Sequence, residues 1–209
     1  MAQNRLRVGV IDSGIHGAHP HIQRDVTGVT ILPDGREDPG CLDRLGHGTA
    51  VAAAILEKAP EVELFAIKIF HQRLATQIDT LVRGIEWAVE NEMDLINLSL
   101  GTANPEHRSV LESMVERVAR GGASLISAYG DGGVQWLPGC LPGAVGVELD
   151  WECPRDQYRT STTAEGRTIY RTSGYPRPIQ GLDPERNLKG ISFAVANITG
   201  LLAKERQGI

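Results

Sequence analysis

The sequence predicts an α/β fold in which a mainly parallel sheet is covered by helices on both faces. Two observations carry this reading. Short apolar runs alternate along the chain with longer segments of helical period, and those runs have the continuous apolar character of strands buried on both sides. A third observation fits: 24 glycines against 5% aromatic residues suit tight turns and small-residue packing.

The first strand is residues 6–12, Leu-Arg-Val-Gly-Val-Ile-Asp, which ends in a carboxylate and breaks at Ser13-Gly14. An Ala-rich helix follows from Gly46 to Glu57, opening on Gly-His-Gly-Thr. Residues 61–70 return to a strand through Val62, Leu64, Ala66, Ile67 and Ile69. Residues 78–91 carry apolar side chains at 78, 81, 82, 85, 88 and 89, a helical spacing. Residues 94–100 form another apolar strand, 110–119 an amphipathic helix, and 124–128 and 144–149 two more strands. A last helix opens at Gly190-Ile191-Ser192-Phe193-Ala194. Residues 150–189 are the least regular part, with Thr/Ser runs and prolines at 176, 178 and 184. Without an internal repeat or a low-complexity linker, residues 1–209 read as a single domain with one elaborated surface region.

The net charge of −5 gives no electrostatic case for nucleic acid as a partner. No run of about 18 apolar residues suggests a membrane span, and Met1 to Arg7 are too polar for a signal peptide. Cys41, Cys140 and Cys153 are odd in number and lack metal-type spacing, so reduced structural thiols and a cytoplasmic location are expected. His16, His19, His21, Asp25, Asp34 and Asp38 fall in one stretch, but not at calcium-ligand spacing. They read as a solvated loop, with no metal and no cofactor. His71 and His107 read as surface residues.

In an open α/β sheet, functional groups gather beyond the carboxyl ends of strands and at helix starts. Asp12 ends a strand, His47 sits between two glycines at a helix start, and Ser192 opens a helix. These residue types suit nucleophilic catalysis. A serine hydroxyl needs a base within reach, histidine can take and return its proton, and a buried carboxylate fixes the imidazole tautomer. The Ser192 N–H, at a helix amino terminus, is aimed at a developing oxyanion. Each signal alone has an ordinary explanation: a turn for Asp-Ser-Gly, a packed histidine for Gly-His-Gly, a helix cap for the serine.

Together the three resemble one family. Val8-Gly9-Val10-Ile11-Asp12-Ser13-Gly14-Ile15, followed by His19-Pro20, is similar to the aspartate motif of subtilisin-like (S8) serine peptidases. Gly46-His47-Gly48-Thr49-Ala50-Val51-Ala52 resembles their histidine motif, and Gly190-Ile191-Ser192-Phe193-Ala194 their Gly-Thr-Ser-Met-Ala serine motif, with Gly200 matching a later helix glycine. The order Asp, His, Ser is also theirs. The resemblance spans roughly residues 6–149 and 188–204. It implies a subtilisin-like three-layer α/β/α sandwich and endopeptidase cleavage through an acyl-enzyme, with catalytic residues Asp12, His47 and Ser192. It further implies that Ser99, Leu100 and Gly101 pair with an extended peptide substrate. The resemblance likewise implies that Ser127, Ala128, Tyr129 and Gly130 form the opposite wall, around the residue before the scissile bond.

One position departs from the family pattern in a way that bears on chemistry. Where the family has the asparagine of Ala-Ala-Gly-Asn, whose amide donates to the oxyanion, this chain has Asp131 within Tyr129-Gly130-Asp131-Gly132-Gly133. Ionised, Asp131 offers no donor; protonated, it can donate beside the Ser192 N–H. Losing such a donor costs about 10²–10³ in turnover. Asp-Gly-Gly is also an ordinary turn sequence. Ala196 and Asn197 replace the family's Pro and His, and residues 149–188 do not align. No inhibitory prodomain is expected before Asp12, which suits trimming of a precursor peptide. Two rivals remain on this reading: a pseudopeptidase that binds peptide without cutting, and an acyl-transfer enzyme that ligates or cyclises.

Overall fold

The computed structural model describes residues 5–208. In chain order the strands are β1 (Arg7–Asp12), β2 (Thr27–Ile31), β3 (Glu37–Asp38), β4 (Glu63–Lys68), β5 (Leu95–Leu98), β6 (Ser124–Ala128), β7 (Gly130–Asp131), β8 (Val134–Gln135), β9 (Val145–Leu149), β10 (Arg159–Thr162) and β11 (Thr168–Thr172). The helices are α1 (His47–Lys58), α2 (Ile78–Glu90), α3 (Arg108–Arg120) and α4 (Ile191–Arg206). Nine strands form one sheet in the order β10-β11-β9-β6-β5-β1-β4-β2-β3, and β7 with β8 makes a separate hairpin. Only the two outermost pairs, β2–β3 and β10–β11, are antiparallel within the large sheet. The fold is therefore the α/β sandwich with a mainly parallel sheet that the sequence predicts.

Strand alternation decides which side chain meets which helix. Val8 and Val10 of β1 and Leu64 and Ala66 of β4 enter one core, packed against α1 and α4. Ile11, Phe65 and Ile67 enter the other, with residues of α2 and α3. Val8, Val10 and Ile11 are fully buried, each stabilising the fold by roughly 2 kcal/mol. Because the period is two, Asp12 falls on the same face as Val8 and Val10, the face of α1 and α4. By the same count Asn97 falls with Leu95 on that face.

The site's location follows from topology. From β1 the chain builds β2, β3 and β4 on one side, then crosses to build β5, β6 and β9 on the other. The crevice between the carboxyl ends of β1 and β5 is thus the point where strand order reverses, where ligands bind in open α/β sheets.

Two expectations need correction. Residues 150–189 are not merely irregular: β10 and β11 form a hairpin, and β11 continues the sheet in parallel with β9, Ile169 facing Gly146 and Arg171 facing Glu148. Its edge strand, Arg-Thr-Ser-Thr, is mostly exposed, and edge strands carry polar residues that hide the strand signal. The stretch after Asp12 is not all solvated loop either, since β2 pairs with β4 and buries Val29 and Ile31.

Candidate active site

α1 begins at His47, and a glycine contact sets where. A Cβ on Gly48 would lie 2.2 Å from the Gly14 carbonyl oxygen and 3.2 Å from the Asp12 Cβ, so only glycine lets the helix start this close to the end of β1. His47 Nδ1 then lies 2.8 Å from Asp12 Oδ1 and 2.9 Å from Oδ2. A carboxylate only accepts, so Nδ1 carries the proton and Nε2 keeps its lone pair. Asp12 is fully buried, and the Ser13 N–H also donates to its Oδ1 at 2.7 Å.

Burial is the largest single influence on the His47 pKa and pushes it down. The hydrogen bond and charge of Asp12, with the charge of Asp43, outweigh it, so the net shift is upward from 6.5.

Sequence reasoning passed over Asp43, whose two oxygens accept five hydrogen bonds. Oδ1 takes Ser13 Oγ at 2.9 Å, Leu45 N at 2.8 Å and Gly46 N at 2.9 Å. Oδ2 takes Thr49 N at 2.9 Å and Thr49 Oγ1 at 2.6 Å. Ser13 Oγ in turn accepts from the Gly48 N–H at 2.9 Å. Asp43 thus satisfies first-turn N–H groups of α1 that the left-handed cap residue Gly46 leaves open. Burial pushes the Asp43 pKa up, but the hydrogen bonds from Thr49, Leu45 and Gly46 bring it below the ordinary carboxylate value. The available signal was a carboxylate shortly before a helix start.

Ser192 is the second residue of α4, whose cap Gly190 has φ 141, a conformation that favours glycine. The Ser192 N–H lies in the first turn, without an intrahelical acceptor. The Phe193 ring packs against His47, centroids 5.6 Å apart. Ser192 Oγ donates to the Ser99 carbonyl at 3.0 Å, and no hydrogen bond joins it to His47 among the described residues. The single hydroxyl proton is taken by the carbonyl just beyond β5.

Behind Ser192 a buried polar chain runs across the sheet–helix interface. Thr199 Oγ1 bonds Asn97 Oδ1 at 3.0 Å, and Asn97 Nδ2 donates to Ser99 Oγ at 2.8 Å. Asn97 is fully buried, so it joins β5 to α4 directly below the serine. Asn197, at the place of the family's histidine, donates to the carbonyls of Ser173 at 2.9 Å and Tyr175 at 3.1 Å.

The expected substrate residues divide between two strand ends. Ser99, Leu100 and Gly101 leave β5; Ser127 and Ala128 end β6, with Tyr129 and Gly130 following. Ser127 Oγ donates to the Leu100 carbonyl at 3.2 Å, tying the two walls together. Asp131 pairs through its backbone with Val134 across a two-residue turn, where Gly132 and Gly133 have φ 57 and 83. The Asp131 side chain lies outside the described residues. Arg167, in the β10–β11 hairpin, donates to the carbonyls of Gly139 at 3.3 Å and Leu141 at 2.7 Å, so the unaligned region braces the loop beyond this wall.

His71 and His107 are partly buried, and His71 Nε2 lies 3.1 Å from the Ile31 carbonyl oxygen. Among the described residues no group of three or more His, Cys, Asp or Glu side chains is placed to hold a metal ion. None of the described helices is long and apolar enough to cross a membrane.

Comparison with known proteins gives the same picture. The model of the subtilase family matches residues 3–208. The thermostable alkaline protease of Halalkalibacterium halodurans is 30% identical over 217 residues, covering 96% of this chain and 56% of the relative. The chain thus spans little more than half of that protein's length. Among solved structures, a cold adapted subtilisin-like serine proteinase superposes with a TM-score of 0.71 at 20% identity, covering 97% of this chain and 76% of the other. Prenylagaramide maturation protease PagA gives 0.64 at 22% identity, covering 99% and 78%. At these identities the structural likeness speaks to the fold, while the match along nearly the whole chain speaks to descent: the protein belongs to the subtilase family of serine peptidases.

Proposed function

We propose that the protein is a serine endopeptidase that cleaves peptide bonds through an acyl-enzyme, with Ser192 as nucleophile, His47 as general acid and base, and Asp12 holding the imidazole. The observation that carries this reading is the grip of the buried Asp12 carboxylate on His47 Nδ1, which leaves Nε2 as the basic atom. Rotation of Ser192 about χ1, between staggered wells, moves its hydroxyl from the Ser99 carbonyl to His47. Attack by Oγ on the scissile carbonyl transfers the proton to Nε2, and the imidazolium returns it to the leaving amine. The oxyanion lies against the first-turn N–H of Ser192 and, in its protonated form, Asp131. An extended peptide adds as a strand beside Ser99–Gly101, between that segment and Ser127–Gly130.

Trimming of a precursor peptide is the finer reading. It draws support from the maturation protease among the structural neighbours. A peptide-binding module without catalysis is the second reading, favoured by one observation: the Ser192 hydroxyl is bonded to Ser99 rather than to His47.

Labelling with a fluorophosphonate probe from about pH 5 to pH 9 separates the two. Wild type is expected to label and Ser192→Ala not to, with Asp131→Asn labelling faster. Failure of folded wild type and Asp131→Asn at every pH leaves the binding module.

A further inference from the structure

Beside the catalytic pair lies a cavity of about 320 Å³ with no part in the chemistry above. One wall is the start of α1, where Gly46 precedes His47 and where Ala50 and Ala53 supply an apolar floor. The facing wall is the stretch before α4, including Arg177 and Leu188. The loop after β1 closes it with His16, His19 and His21. Ser99 lies elsewhere: it leaves β5, on the other side of β1 from β4, and touches Ser192 through its carbonyl. The cavity shares no lining residue with Ser99–Gly101, and through Gly46 it adjoins His47 in the chain.

The lining carries two guanidinium groups, Arg44 and Arg177, against one carboxylate, Asp43. Arg177 donates to the His21 carbonyl at 3.2 Å, and neither Arg177 nor Arg44 is ion-paired to a carboxylate among the described residues. The carboxylate in the wall, Asp43, is already occupied by its hydrogen bonds from Ser13, Leu45, Gly46 and Thr49. The His19 and His21 rings meet edge to face with centroids 5.3 Å apart. The His21 pKa is lowered, first by burial and then by the charges of Arg177 and His19, against a smaller opposing pull from Glu57.

We propose that this cavity is a specificity subsite for an acidic side chain, Asp or Glu, carried by the substrate on the segment that follows the cleaved bond. Arg177 is the principal partner and Arg44 the second. The apolar floor takes the methylene part of the side chain, and the guanidinium takes its carboxylate. The inference rests on the peptidase reading only for which side of the bond the acid occupies.

Binding tests it without relying on cleavage. The Ser192→Ala protein is titrated with fluorescein-labelled dodecapeptide pools, amidated at the carboxyl end, randomised in the first half and carrying paired Glu, Gln or Lys in the second. Anisotropy is expected to rank Glu before Gln before Lys. Each step is roughly two- to fivefold in Kd, the range of a partly exposed charge pair. Arg177→Glu in the same background is expected to invert the ranking in favour of Lys. Equal affinities, no measurable binding, or a ranking unmoved by Arg177→Glu overturns the subsite. In mirrored pools, with the paired residues in the first half and the second half randomised, a preference that appears only there places the acid before the bond and overturns it equally. If the ranking holds while wild type cleaves nothing, the catalytic reading fails and the acidic subsite stands; if wild type cleaves and the ranking is absent, the reverse is true.

Discussion

The two halves of the proposed catalytic site are built in different ways. On the Asp12–His47 side, both Asp12 oxygens and both Asp43 oxygens are engaged, and Ser13 links the two carboxylates through backbone and hydroxyl. On the Ser192 side, the hydroxyl rests on one carbonyl, and the wall beyond β6 turns through Gly132 and Gly133. The proposed base is therefore held by several hydrogen bonds, whereas the hydroxyl of the proposed nucleophile is held by one. On the proposed mechanism, preorganisation is concentrated where a charged imidazolium must form.

Substitutions can break this contrast from either side. Ser192→Ala is expected to abolish turnover, a loss of about 10⁶, with the thermal midpoint almost unchanged because its side chain anchors nothing else. Stopped assays with a peptide substrate and a thermal melt check both parts. Asp12→Asn is expected to lower kcat by about 10⁴. It also removes the interaction that holds the His47 pKa up, so the rising limb of the pH–rate profile moves to lower pH.

Asp43→Asn tests whether the rigid half depends on its second carboxylate. The change forces rearrangement around Ser13 and Thr49, costing about 1–3 kcal/mol in urea unfolding. It is expected to lower kcat more than KM, since it acts on the helix start that carries His47. At the other end, Gly132→Ala places a side chain at φ 57, a cost of roughly 1–2 kcal/mol. Labelling should slow, with the pH profile of His47 unmoved.

The two halves also separate along pH. His47 has its pKa raised, so kcat/KM is expected to rise with pH through an inflection above 6.5. The same shift makes a stability contribution that is present below 6.5 and lost as pH rises through the folded value. Asp43 acts in the opposite sense: its pKa is depressed, so its contribution is present above 3.8 and lost as pH falls through the folded value. Urea titrations on either side of each window check the signs.

What the sequence made legible were groups whose position is set by strand and helix ends. Asp12, His47 and Ser192 could be placed because β1 ends in a carboxylate, His47 opens α1 between two glycines, and Ser192 stands two residues after the cap glycine of α4. Asn97 and Thr199 could not, because an isolated polar residue in an apolar run does not name its partner across the core. The hairpin β10–β11 was hidden by its edge position, and β2 by its brevity and glycine. The Ser192–Ser99 contact depends on one side-chain torsion, which no spacing of residues encodes.

The packing of α1 on α4 has a consequence during synthesis. At Gly200 a Cβ would lie 3.0 Å from the Ile55 carbonyl oxygen, so the two helices meet at close range along the Ala-rich face of α1. As the chain leaves the ribosome, α1 emerges on the order of ten seconds before α4. Over that interval its apolar face lacks the cover that completes the core, and the nucleophile does not yet exist. Burial of the helix that bears His47 and arrival of Ser192 are one event, so on the proposed mechanism a nascent chain acquires its nucleophile only as its core closes.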